Sequence, residues 1–90
     1  MRIKLKRFGV VLTSRSAGKE AYLSARAYIL PKDKNEKVEI DFSGVKVLSP
    51  SWADEFLTPI RNEFKTKLVL LPYRNSSIKA TLEILKEQHK

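Results

Sequence analysis

The stretch Val38-Glu39-Ile40-Asp41-Phe42-Ser43-Gly44-Val45-Lys46-Val47-Leu48-Ser49-Pro50-Ser51-Trp52-Ala53-Asp54-Glu55-Phe56-Leu57 decides the fold class. Val38, Ile40 and Phe42 alternate with Glu39 and Asp41, the two-residue period of a strand with one apolar face. Gly44 then interrupts ahead of Val45 and Val47, so the strand is followed by a tight connection. Ser49-Pro50 reads as an N-cap with proline at the first helical position. Asp54 and Glu55 follow in the first turns, where the helix dipole favours negative charge. Trp52, Phe56, Ile60 and Phe64, with Ala53 and Leu57 beside them, form the buried stripe of this helix, which runs to about Phe64. Pro59 lies inside it and is expected to bend it.

The same alternation of elements extends outward. Ile3 to Thr13 reads as one long bent strand or two short ones turning at Gly9. Ala17 to Leu30 carries Ala17, Ala21, Ala25, Tyr28 and Ile29 at helical spacing, and Pro31 ends that helix. Residues 32–37 are a charged loop. Leu68-Val69-Leu70-Leu71 is apolar on both faces, as expected of a central strand covered by helices on either side, and Pro72 closes it. Asn75-Ser76-Ser77 can cap a last helix built on Ile78, Leu82 and Leu85, with a fraying tail from Lys86 to Lys90. The order predicts one α/β domain over residues 1–90. Its sheet is mixed and four-stranded, with the later strands parallel and joined by right-handed crossovers, and it carries three helices.

Ninety residues with 42% hydrophobic and 31% charged side chains is ordinary globular composition. A chain of this size buries roughly 60 to 65% of its unfolded surface, so a large enclosed substrate pocket is not expected beside the core. The absence of cysteine removes disulfides, thiolate catalysis and thiolate metal sites, and agrees with a cytoplasmic protein. Met1 to Lys6 alternates charge with aliphatics, so neither a signal peptide nor a membrane span is expected. The formal net charge of +8 is unevenly spread: residues 1–37 carry +7, residues 38–64 carry −3 and residues 65–90 carry +4. An acidic middle in a basic chain suggests two surfaces with different partners.

Catalytic chemistry finds little support. His89, the only histidine, lies in the terminal tail, which argues against a triad or a histidine metal site. Gly9, Gly18 and Gly44 stand alone and build no phosphate-binding loop. Asp41, Asp54 and Glu55 could converge on a hard cation, but the helix dipole already explains the last two, so no metal and no cofactor is expected. Ser49 and Ser51 stand at a helix N-terminus beyond the end of a strand, where open α/β folds place ligands and where backbone N–H groups favour a phosphate. N-capping accounts for Ser49. Ser51 is the freer hydroxyl.

Asp41-Phe42-Ser43-Gly44-Val45 followed by Ser49-Pro50-Ser51-Trp52-Ala53-Asp54-Glu55 resembles a bacterial family of STAS-like domains of unknown function. The segments Phe8 to Arg15 and Ala17 to Ala21 resemble the start of that family. The family is similar in turn to STAS domains of anti-sigma-factor antagonists, which bind a kinase-like ATPase and are switched by serine phosphorylation at the start of the second helix. That resemblance implies a partner surface at Ser49, Ser51, Trp52, Asp54 and Glu55, with Ser51 as the phosphorylatable position. Ser49, Pro50 and Trp52 replace the acidic residue, the other serine and the glycine of the antagonists' motif.

Arg15 and Arg74 are expected at the same end of the sheet, flanking Ser51 as anion or acidic-loop contacts. The leading expectation is therefore a non-enzymatic regulatory module that binds a signalling protein or kinase-like ATPase. The alternative is nucleic-acid binding through Arg2, Lys4, Lys6, Arg7, Lys32, Lys34 and Lys37, although few aromatics accompany them and Tyr22, Tyr28 and Tyr73 are placed in or near the core.

Overall fold

A computed structural model describes residues 1–88. Its elements are β1 (Arg2–Lys4), a 3-10 turn (Leu5–Phe8), β2 (Val11–Leu12), α1 (Arg15–Tyr28), β3 (Val38–Asp41), β4 (Val47–Leu48), α2 (Pro50–Phe64), a second 3-10 turn (Lys65–Lys67), β5 (Leu68–Leu70) and α3 (Ser76–Gln88). The α/β order and the three helices follow the sequence reading. The sheet does not: β1-β3-β5 form a three-stranded sheet, β2-β4 a separate pair, and every pairing is parallel.

The predicted mixed four-stranded sheet fails because two neighbouring segments break in step. Leu5–Phe8 coils between β1 and β2, while Phe42 to Val45 turns between β3 and β4, the Val45 N–H donating to the Phe42 carbonyl at 3.1 Å. Gly44 takes φ 83° in that turn, a conformation suited to glycine. A Cβ there would also lie 2.7 Å from Cδ of Lys6, so the two breaks pack against each other. Val47, read as part of a connection, thereby becomes a strand residue paired with Val11.

Register explains which face is buried. Ile3 lies opposite Ile40, Val38 opposite Leu68 and Ile40 opposite Leu70, all on the inner face; Arg2 and Lys4 lie opposite Glu39 and Asp41 on the other. The outer face is charged and partly open, with Glu39 taking ion pairs from Arg2 and Lys37. The expectation of a central β5 covered on both sides is thus corrected. β5 is an edge strand, Leu68 and Val69 are half-buried, and Leu70 is 40% exposed.

Side-chain caps set the helix starts. Ser14 Oγ accepts from Ala17 N at 3.0 Å, starting α1 at Arg15, two residues earlier than the apolar spacing indicates. Ser49 Oγ accepts from Trp52 N, and Asn75 Oδ1 accepts from Ser77 N. Helix α2 continues unbroken through Pro59 to Phe64. Helix α3 is regular to Gln88, beyond the expected onset of fraying, while His89 and Lys90 lie outside the described residues. Tyr28 is 88% exposed at the end of α1, because Ala21 and Ala25 supply the buried face of that helix, whereas Tyr73 lies near the core as expected, its ring edge-on to the buried Phe42 at 5.6 Å. Tyr22 is half-buried against the core, as expected. Among the described residues no helix is long and apolar enough to cross a membrane.

Helices α1 and α2 meet at Gly18. A Cβ there would sit 2.5 Å from the Trp52 carbonyl oxygen and 2.9 Å from its Cα, so glycine permits the backbones to touch. Trp52 stacks on Phe56 at 4.9 Å, and Phe8 tilts against both rings. Gly18→Ala gains about 1 kcal/mol of helix propensity but overpacks against backbone, which costs about 1–3 kcal/mol. A lower urea midpoint is expected; an unchanged one would show that α1 can move away from α2 freely. Ser49→Ala should lose about 1 kcal/mol by the same measurement.

Candidate functional site

Because β2 and β4 are adjacent and parallel, the chain leaves both in the same direction and starts α1 and α2 side by side. The Ser49 N–H donates to the Leu12 carbonyl at 2.9 Å, and Ser49 Oγ donates to the Thr13 carbonyl at 2.6 Å. Its hydroxyl therefore serves both helix entries, as acceptor for one and donor to the other. Ser51, the second residue of α2, is half-buried and makes no side-chain hydrogen bond among the described residues.

Arg15 opens α1 and reaches across to α2. Its Nη1 lies 3.0 Å from Glu55 Oε1 and 3.4 Å from Asp54 Oδ2, while Thr58 Oγ1 donates to Asp54 Oδ1 at 2.8 Å. Glu55 first, then Asp54, raises the guanidinium's already high pKa further, so the charge on Arg15 is permanent. These acids lie beyond the first turn of α2, which contains no acidic residue. An ion pair with Arg15 accounts for them in place of the expected helix dipole. Arg15, expected as an anion site, already holds two carboxylates.

The other expected site residues separate. Trp52 is 1% exposed and belongs to the core, so it cannot form part of a contact surface; the antagonists' glycine position is filled here by a packing residue. Arg74 is exposed on the β5–α3 connection, lining a cleft with Phe42, Tyr73 and Asn75 rather than joining Arg15. Asp41 does not converge with Asp54 and Glu55. It accepts from the Ser43 N–H at 2.9 Å, and Ser43, with Arg2 and Lys4 nearby, lowers its pKa. Among the described residues no cluster of three or more acidic or histidine side chains could hold a metal.

The sequence reading named Gly18 without its packing role and overlooked Ser14 and Thr58. The spacing of Ser14 before the helix and a lone glycine within a helical pattern were the available signals. Asn75 also does more than cap: its Nδ2 donates to the Val45 and Lys46 carbonyls, and Thr81 Oγ1 donates to the Leu48 carbonyl, fixing the strand that feeds α2.

A group with a depressed folded pKa stabilises above its unfolded pKa and loses that contribution as pH falls through the folded value. The stability difference between the wild type and Asp41→Asn should therefore shrink as pH is lowered from about 4, measured by urea unfolding. A pH-independent difference would mean that the Asp41 charge plays no part.

Comparisons with curated proteins and with solved structures find no match. A family model described as a STAS-like domain of unknown function matches residues 26–71, from the last turn of α1 through β3, β4 and α2 to just past β5. With just over half of its length matched and the α2 start inside the match, the chain belongs to the family of STAS-like domains of unknown function.

Proposed function

We propose that the domain is a non-enzymatic regulatory module of the bacterial cytoplasm that binds a signalling protein or kinase-like ATPase through the start of α2. The observation that carries this reading is the division of labour between the two serines. Ser49 is consumed by capping, whereas Ser51 has an uncommitted hydroxyl beside the Arg15 bridge to Asp54 and Glu55. Family membership supports a protein-interaction role, and the likeness to anti-sigma-factor antagonists supports control at Ser51.

A phosphoryl group on Ser51 would add close to two negative charges in the first turn of α2. Asp54 and Glu55, three and four residues on, would oppose it at helical neighbour distance, while the helix N-terminus and Arg15 would attract it. The effect is competition for one guanidinium. Modification would loosen the α1–α2 bridge and make the surface that a partner meets more negative, without disturbing the buried Trp52 stack.

The nucleic-acid alternative draws on one observation: Tyr28 is exposed in a basic stretch that includes Arg26 and Lys32. A single ring is a weak stacking platform, so protein binding is favoured.

Affinity capture from the native cell, at low and high salt, tests both. The expected result is a salt-resistant protein partner that is retained by the wild type and lost with Ser51→Glu and Asp54→Lys, while circular dichroism shows both variants folded. Retention of nucleic acid alone, released by salt, would replace this reading with the alternative. Equal capture by both variants would move the interface away from α2.

A further inference from the structure

The far end of α2 borders a second surface. Leu57, Leu68, Leu70, Leu82 and Leu85 line an open groove of about 670 Å³ between α2, β5 and α3. Its floor is continuous with the sheet edge. Leu71 N donates to the Ile40 carbonyl, and Ile40 is the register partner of Leu70. In a parallel ladder that arrangement turns the N–H and C=O of Leu70 away from β3, toward the side of β5 where the sheet ends. Apolar side chains on the inner face thus adjoin a backbone donor and acceptor with no strand beside them.

The charge around the groove selects among occupants. Arg61 and Lys86 lie in its wall, and Lys65 and Lys67 lead into β5; none of the four has an ion-pair partner among the described residues. Glu83 is the one acid in the lining. The excess is basic, in a chain of net charge +8 that would repel a second copy of itself.

We propose that this groove receives an extended acidic segment of a partner protein, added beside β5 as a further strand. On the face turned to the helices, apolar side chains of that segment would enter the leucine-lined groove and acidic ones flanking them would meet Arg61 and Lys86, while an acidic side chain on the opposite face would meet Lys67. This surface is separate from Ser51: Leu57 and Arg61 lie beyond the Arg15 bridge, which reaches the groove lining through the Thr58 bond to Asp54, and the inference stands whether or not the α2 start binds a partner.

The test uses the full chain and a fluorescein-labelled ten-residue peptide of four central valines flanked on each side by three glutamates, with a valine–lysine peptide of the same layout as comparison, read by fluorescence anisotropy. The valine–glutamate peptide should bind, the lysine peptide at least tenfold more weakly, with affinity for the first falling as salt rises. Arg61→Glu combined with Lys86→Glu should weaken the acidic peptide at least tenfold. Leu70→Pro removes an N–H that faces the open edge, a position where strands tolerate proline, together with one leucine side chain of the groove lining. It should abolish binding while leaving the urea midpoint near that of the wild type; should it unfold the domain, the charge-reversal pair still decides the matter. Failure of the acidic peptide to bind, equal binding of both peptides, or no effect of the charge reversal would overturn the proposal. So would a wild-type dimer in sedimentation that dissociates in Leu70→Pro.

Discussion

The close parallel pairing of β2 with β4 is the constraint on which the rest of the molecule depends. Each strand has only two residues, yet Val11 lies opposite Val47 and Leu12 opposite Leu48, so the two chains leave together and their helices begin as neighbours. Gly18 completes that arrangement by letting α1 approach the backbone of Trp52. Two-residue strands cannot hold such a register by their ladder bonds alone. The support comes from outside the pair: Ser49 bonds to Leu12 and Thr13, while Asn75 holds the residues leading into β4 and Thr81 holds Leu48 at its end.

That geometry sorts chemically similar residues into different roles. Two serines stand two positions apart, and the one nearer the strand is committed to capping because its hydroxyl faces the Thr13 carbonyl. The other lies on the helix surface. Arg15 likewise owes its two carboxylate partners to the position of α1 beside α2, since 39 residues separate it from Asp54 in the chain. Such exposed ion pairs contribute little to stability, and their value here lies in fixing the charge that a partner or a phosphoryl group would meet.

The sheet itself is unusual in leaving one face of three parallel strands charged and partly open, where parallel sheets are normally covered on both faces. Arg2, Lys4, Glu39 and Asp41 occupy that face, and the alternation over Val38 to Asp41 foretold it. The placement of β5 was not foretold. An apolar run such as Leu68 to Leu71 reads alike whether it is covered by helices or lies at an edge awaiting a neighbour, because composition records only that the run can be buried.

The helix start at Ser49-Pro50, the stripe from Trp52 to Phe64 and the freedom of Ser51 were legible in the sequence because each rests on contacts within one or two turns. The sequence also carried the family resemblance in its Asp41 to Glu55 stretch. Tertiary structure alone decided that both strand segments break at matching points and that all pairings are parallel. It also decided that Arg15 meets Asp54 and Glu55. Those outcomes depend on the approach of segments distant in the chain, above all Lys6 on Gly44 and Gly18 on Trp52, and local periodicity carries no information about which distant backbone will be close enough to require a glycine.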